Sequence, residues 1–547
     1  MFLVYQKCAR VKRRCAFAGY SIYDIIKMLP AFIYFMEKKS SEKEGEMYSV
    51  VIGKLISKLR QEVGMTQQDL AKKISSTQSA VARIETGEQN LSTEMVNKIS
   101  NALNRDIVRV SNGSLSIRIE GGRKLFGEIT TKTSKNGAMG LLAASLLNKE
   151  KTTIKNVPKI EEVNRMVEVF QSIGVSVKWS GNDLEIKPPE KINLAKIDVA
   201  AAQKTRSIVM LIGSLIHHFK TFRLPQPGGC KLGSRTVKPH LFALEKLGVK
   251  VATKEKYYEV ASPKLHASEI VLYESGDTVT ENAIIAAALI PGKTTIKYAS
   301  SNYMGQEVCF FLEKCGVKIE GIGTTTLVVH GVKEIRTPVT YYLSEDPIES
   351  MFFLSAAIVT KSSLVINRCP IDFLEVELLK LEKMGFRYKI LKRYKALNGK
   401  TNLVDIKSFP SNLVALEEKI DSRPYPGLNI DNLPFFAIIA TQAKGQTLIH
   451  DWVYEKRAIY TKDIDKLGAD TVLADPHRLY ITGPTKLHSA EVICPPALRP
   501  AAIMLIGMLA ADGVSILRNI YSINRGYEDL VARLNGLGAS LTILREF

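Results

Sequence analysis

Long apolar runs are missing from this chain. The apolar clusters at residues 2–5 and 28–36 are interrupted by Asp24, Lys27 and a basic run. No stretch approaches the ~20 uninterrupted apolar residues of a membrane-spanning helix, and no continuous apolar region leads into a small-residue cleavage site of the secretory kind. The expectation is a cytoplasmic protein with no membrane partner. Cysteine is scarce as well: seven in 547 residues, an odd number and widely spaced, which argues against a disulfide framework. There is no CxxC and no Cys/His cluster, so no metal is expected. Cys309 and Cys315 lie in the apolar helical run FFLEKC and read as core thiols.

What is present describes a globular chain too long for one core. Hydrophobic residues make up 46%, charged residues 24%, and mean hydropathy is +0.00, so three or four domains are expected. The formal net charge of +20 suggests nucleic acid until it is divided by segment. Residues 1–46 hold nine Lys/Arg and five Asp/Glu, and residues 47–110 hold nine and six, leaving +13 on residues 111–547. A diffuse positive field of that kind suits a multiply anionic small substrate at least as well as DNA.

Residues 1–46 have no convincing period, and EKKSSEKEGE at 37–46 reads as a solvated linker. Met36 and Met47 both precede plausible starts, so this segment is expected to be an extension or a tail. Residues 47–110 are expected to form an all-α unit. Ile52, Leu55, Ile56 and Leu59 fall at helical spacing, and Gly64 ends that helix. Thr66 with Asp69 makes a capping-box start for TQQDLAKK. Thr77 caps TQSAVARIETG, which Gly87 ends, and LSTEMVNKISNAL supplies a fourth helix. GMTQQDLAKK and TQSAVARIETG resemble the helix-turn-helix domains of phage-repressor type, in which the second helix of the pair enters the major groove. That resemblance implies duplex DNA as a partner of residues 52–107, with Gln78 and Ser79 facing base edges and Gln67 touching phosphate. The other reading is an interaction or oligomerisation module that keeps the fold without reading DNA.

From residue 150 one phrase recurs six times: a short β-branched strand, an irregular link, a helix ending in an apolar residue plus Gly, then a strand hairpin. The openings are TTIKN (152), FRLPQ (222), TTIKY (294), LVINR (364), TLIHD (447) and VSILR (514), and the closing glycines are Gly174, Gly248, Gly316, Gly385, Gly468 and Gly538. One Gly after the last helical residue is what a left-handed C-cap needs. The unit is longer than solenoid repeats, so two globular groups of three are expected.

The loop QPGGCKLGSR at 226–235 sharpens this reading. Two glycines precede Cys230, and Lys231 and Arg235 bracket the thiol, favouring thiolate. On this segment, together with SKNG, KTRS, EDPIE, PYPGLNID, VYEKR, ALRP and INRGYE, the chain from about residue 114 to 547 resembles the enolpyruvyl transferase family. The resemblance implies an α/β (α+β) fold of six βαβαββ repeats in two facing domains, an inside-out α/β barrel, preceded by the all-α unit. One domain would span 135–344, and the other 111–134 plus 345–547. It also implies phosphoenolpyruvate and UDP-N-acetylglucosamine, or a related nucleotide sugar, as substrates, and no cofactor. By the same resemblance Cys230 is the general acid to the enol carbon and Asp431 the aspartate beside the acceptor hydroxyl. Lys135, Arg206, Arg235, Arg457, Arg499 and Arg525 would hold phosphoenolpyruvate, a carboxylate plus phosphate on three carbons that calls for several cations. Asn136, His240, Lys238 and Asp346 would contact the acceptor.

Two departures concern the acceptor. After the Cys230 loop the family run Arg-Pro-Val-Asp-Leu-His is here RTVKPH, putting Lys238 where an aspartate normally stands and Pro239 where a backbone N–H is lost. The stretch usually written Ser-Val-Gly-Ala-Thr is here ESGDTVTEN, with Glu274 and Asp277 adding negative charge. A different nucleotide or sugar acceptor, or a DNA-binding regulator using a degenerate enzyme domain as a sensor, are the alternative expectations.

Overall fold

Six glycines close six helices, and each adopts the left-handed backbone its place demands: φ is 93° at Gly174, 91° at Gly248, 93° at Gly316 and Gly385, 84° at Gly468 and 87° at Gly538. A side chain at any of them would strain the turn. The computed structural model describes residues 53, 56, 57, 59–61, 63–88, 95, 98, 99, 102, 115–227 and 236–545. The chain divides into two units, residues 1–113 and 114–547.

In the larger unit each repeat forms its own sheet. The opening strand pairs antiparallel with the second strand of the hairpin, which pairs antiparallel with the first. Thr152–Lys155, Asp183–Lys187 and Ser176–Ser180 lie side by side in this order, as do Val365–Pro370, Asn402–Phe409 and Arg387–Lys395. The sixth repeat borrows its second hairpin strand from the other end of the chain. Leu115–Glu120 lies antiparallel between Val514–Arg518 and Ser540–Arg545, with Ile117 opposite Leu517 on one side and Ile543 on the other.

The helices lie inside the sheets. Every residue of Pro347–Val359 and of Leu433–Ala440 is buried, as are eleven of the thirteen in Leu498–Ala510. A helix apolar on all sides belongs at the centre of a fold. The strands alternate instead: in Ser176–Ser180 the exposed Ser176, Lys178 and Ser180 flank the more buried Val177 and Trp179. Each such sheet turns one face to water and one to the helices. This is the inside-out α/β arrangement the repeats imply. Buried apolar side chains fall into two clusters. One spans residues 138–343; the other draws on 117–125, Tyr303, Met304 and 348–541. Two chain segments run side by side where they meet, Ser134 N–H donating to Ser344 C=O at 2.8 Å and Asp346 N–H to Lys132 C=O at 2.9 Å.

The smaller unit is helical where it is described. Thr66 and Asp69 form the expected reciprocal cap at the start of Gln67–Lys73: Asp69 N–H donates to Thr66 Oγ1 at 3.1 Å, and Thr66 N–H to Asp69 Oδ2 at 3.0 Å. Gln78–Thr86 begins at Thr77 and ends at Gly87 with φ 82°. Ile56, Leu70, Ala71, Ile74, Val81, Ile84 and Ile99 make its core. Arg60 crosses it to Glu85 through two hydrogen bonds of 2.6 and 3.0 Å. Residues 1–46, Ile52, Leu55 and most of LSTEMVNKISNAL lie outside the described residues. Among the described residues no helix is long and apolar enough to cross a membrane.

Candidate active site

Two long helices of the larger unit start on basic side chains. Lys135 is the first residue of Lys135–Ser145, and Arg499 is the second of Leu498–Ala510. A cation at a helix N-terminus opposes the helix dipole, whereas an anion there is stabilised. The placement is unfavourable unless an anion arrives. Both side chains open into one cavity of about 470 Å³. Asn136, Glu162, Arg206 and His240 line it beside Lys135, and Asp431, Arg457 and Arg525 line it beside Arg499.

The cations are held by carboxylates. Glu162 accepts from Lys135 Nζ and from Arg525 Nη2, each at 3.1 Å. It therefore ties the two sets of repeats together across the cavity. Burial raises its pKa, but Lys135 and Arg525 outweigh burial and hold the carboxyl below its usual range. Asp431 accepts from Arg499 Nη2 at 3.2 Å and lies 3.7 Å from Arg457 Nη1. Burial again opposes its ionisation, and Arg499, Arg457 and Lys135 reverse that, so its pKa is lowered. Asp431 is a carboxylate before any substrate enters.

Arg457 is almost fully buried and committed to structure. Its Nη2 donates to Asp451 Oδ1 at 2.9 Å and to Ile430 C=O at 2.8 Å, while Nε donates to Asp451 Oδ2. Arg499 is less committed. Nη1 donates to the Tyr527 hydroxyl at 3.1 Å, but its buried Nε–H has no partner among the described residues. A buried N–H without a partner needs an explanation, and the residue that carries it lines the cavity. Arg206 Nη2 donates to Thr236 C=O at 3.3 Å.

His240 is held on both ring nitrogens, by Asn282 Nδ2 on Nδ1 at 3.2 Å and Thr278 Oγ1 on Nε2 at 3.3 Å. Asn136 donates to the buried Tyr303 hydroxyl at 3.2 Å. Two residues expected near the acceptor do not line the cavity. Asp346 caps the helix Pro347–Val359, accepting from Ile348 N–H at 2.8 Å, and Lys238 stands exposed at the first position of Lys238–Glu245. Cys230, Lys231 and Arg235 lie outside the described residues. Cys309 and Cys315 are buried, and burial raises both thiols, Cys315 to about 12. They are core thiols.

Sequence reasoning missed Glu162, Asp451 and Tyr527, the groups that hold the cations in place. Tyr527 follows Arg525 in INRGYE, and a neighbouring aromatic was the available signal. Glu162 reads as an ordinary acid in a first helical turn.

In the smaller unit Gln78 and Ser79 are exposed at the start of their helix. Gln67 is turned inward, its amide donating to Glu85 Oε2 at 2.9 Å, which leaves its carbonyl oxygen and the helix N-terminus for any outside contact.

Six repeats with helices inside, enclosing a cavity of paired arginines, lysine and carboxylates, define an enolpyruvyl transferase, and the sequence comparisons agree. The pattern of the EPSP synthase (3-phosphoshikimate 1-carboxyvinyltransferase) family matches residues 119–534, and that of the helix-turn-helix family matches 56–110. The chain belongs to the enolpyruvyl transferase family and carries a helix-turn-helix segment ahead of the enzyme. Within that family it is similar to the UDP-N-acetylglucosamine 1-carboxyvinyltransferase of Treponema denticola, at 34% identity over 78% of this chain and 98% of that protein. The enzyme of the same name from Bradyrhizobium diazoefficiens is 32% identical over 77% of this chain and 96% of its own. Among solved structures, the enolpyruvyl transferase NikO from Streptomyces tendae superposes with a TM-score of 0.70 at 23% identity, over 80% of this chain and all of its own. EPSP synthase from Acinetobacter baumannii superposes at 0.62 and 16% identity, over 79% of this chain and all of its own. These two describe the fold alone.

Proposed function

We propose that this enzyme transfers the enolpyruvyl group of phosphoenolpyruvate to a hydroxyl of UDP-N-acetylglucosamine, releasing phosphate. The supporting observation is the pairing of ionised Asp431 with Arg499 in a cavity lined by further cations. The relatives at 34% and 32% identity are named for that reaction. Residues 135–344 act as one domain, and 111–134 with 345–547 as the other.

Arg499 takes the carboxylate of phosphoenolpyruvate, with Arg457 fixed behind it by Asp451. Lys135, Arg525 and Arg235 take the phosphate, and Arg206 adds positive field. Asn136 and His240 face the acceptor. As the substrate anions engage the arginines, Asp431 loses part of the positive field that lowers its pKa, so its basicity rises where it is needed. The acceptor hydroxyl gives its proton to Asp431 as its oxygen bonds to C2, while Cys230 delivers a proton to C3. The tetrahedral adduct then returns a C3 proton to Cys230 as the C2–O bond to phosphate breaks and the departing phosphate oxygen takes the proton held by Asp431, leaving an enol ether and inorganic phosphate and both residues as they began. Atoms and charge balance without a cofactor.

A phosphate-release assay with phosphoenolpyruvate and UDP-N-acetylglucosamine, UDP-glucose or free sugar phosphate tests the reading. Asp431→Asn is expected to fold and to lose about 10²–10⁴-fold in turnover. No phosphate from the wild type with any acceptor, or near-normal turnover in Asp431→Asn, refutes it.

The smaller unit supports a second activity. Gln78 and Ser79 are exposed at a helix start, in a segment matching the helix-turn-helix family, and we infer that they read duplex DNA.

A further inference from the structure

Glu281 lies in the helix Asp277–Ala288, ahead of the apolar run AIIAAA, and keeps only 1% of its surface exposed. It lines the cavity together with Asn136 and Met139. Among the described residues, and unlike Glu162 and Asp431, it has no cation beside it, and its Oε1 has no hydrogen-bond partner. Room for the carboxyl is built in. A Cβ at position 140 would overlap Glu281 Oε1 and would crowd Val308, so Gly140 is the residue that admits it. Gly140 follows Asn136 by four residues on the same helix, which puts the carboxyl about one helical turn, ~5.4 Å, below Asn136. Burial, and then the negative charge of Asp277, push its pKa well above the ordinary carboxyl range. The site thus favours the neutral carboxyl, which has one O–H to donate and one carbonyl oxygen to accept.

An orphan polar group of this kind weakens the fold, since an apolar side chain of the same shape would fill the site without the loss of hydration. We propose that Glu281 is a specificity-determining residue for the acceptor, hydrogen-bonding an uncharged hydroxyl or amide group of the sugar and disfavouring a phosphate at that depth. This rests on the transfer reading above. The acetamido group and the ring hydroxyls of the sugar are the two sources of such chemistry, and comparison of UDP-N-acetylglucosamine with UDP-glucose separates them.

The test is steady-state phosphate release with each UDP sugar, alongside thermal denaturation, for wild type, Glu281→Gln and Glu281→Leu. Gln keeps a donor and an acceptor and is expected to retain the acceptor KM to within a few-fold. Leu is expected to raise it about ten-fold, from one or two lost neutral hydrogen bonds. The KM for phosphoenolpyruvate should stay unchanged, and the melting temperature should be equal or higher. A rise for UDP-N-acetylglucosamine alone assigns the acetamido group; an equal rise for both sugars assigns a hydroxyl. Turnover by the wild type with an unchanged acceptor KM in Glu281→Leu overturns this inference alone, as does a lowered melting temperature with both substrates affected together. Absence of turnover by the wild type with any acceptor overturns the transfer reading and this inference with it.

Discussion

Glu162→Gln removes the negative charge that Lys135 and Arg525 share at 3.1 Å each. The carboxylate keeps 5% of its side-chain surface exposed, against 16% for Lys135 and 19% for Arg525, so water screens the cations little. Removing one partner of a buried ion pair costs about 3–5 kcal/mol. The lower end, about 3 kcal/mol, applies because both cations face the cavity and can draw in water. At ~2–4 °C per kcal/mol for a domain of this size, the melting temperature falls by about 6–12 °C. Orthophosphate supplies the missing charge, and at a hundred times its dissociation constant a ligand returns about 2.7 kcal/mol. Differential scanning fluorimetry in tens of millimolar phosphate, against chloride of equal ionic strength, reads both effects. Phosphate should stabilise the variant more than the wild type. The folded pKa of Glu162 is lowered, so its contribution is complete above the unfolded value near ~4.3 and vanishes as pH falls through the folded one. The two proteins should therefore converge in strong acid. A melting temperature within about 2 °C of wild type at neutral pH, or an equal response to phosphate, refutes the reasoning.

Cys230 should be alkylated by fosfomycin, an epoxide phosphonate suited to an anion subsite beside a nucleophilic thiol; intact mass of wild type and Cys230→Ser checks it, and labelling of another cysteine, or none, counts against it. Removal of residues 1–107 should leave transferase activity intact, measured by phosphate release, because the larger unit begins at residue 114. Selection from a random duplex pool should yield a motif that Gln78→Ala relaxes at low salt, and recovery of no enriched sequence favours a protein-interaction role for the smaller unit.

The six-fold phrase was legible because its punctuation is local. A glycine that must turn left-handed after a helix announces itself wherever it stands, and Gly174 to Gly538 do so at 84–93°. The caps at Thr66 and Thr77 were legible for the same reason. The cations of the cavity were found through family motifs and not through their surroundings, since an arginine on its own says nothing of what it faces. Glu162, Asp451 and Tyr527 escaped because their significance is tertiary: Glu162 meets Arg525 across 363 positions of chain. Asp346 shows the converse, a motif residue whose carboxylate caps its own helix and stays out of the cavity. Glu281 went unread because, beside Thr280 and Asn282 at the polar start of its helix, nothing in the sequence marks it as buried.

Leu115–Glu120 has a consequence for the order of synthesis. The strand emerges from the ribosome early, yet both its neighbours, Val514–Arg518 and Ser540–Arg545, are made last. At ~5–20 residues per second the wait is roughly 20–80 s. Throughout it Ile117 and Ile119, which are fully buried in the finished protein, belong to a strand with two open edges. The first three repeats can close while the chain is still growing; the last sheet cannot. A permuted gene that moves residues 115–134 behind residue 545 would abolish this delay, so refolding yield in a cell extract, rather than final stability, is where such a protein would differ from its parent.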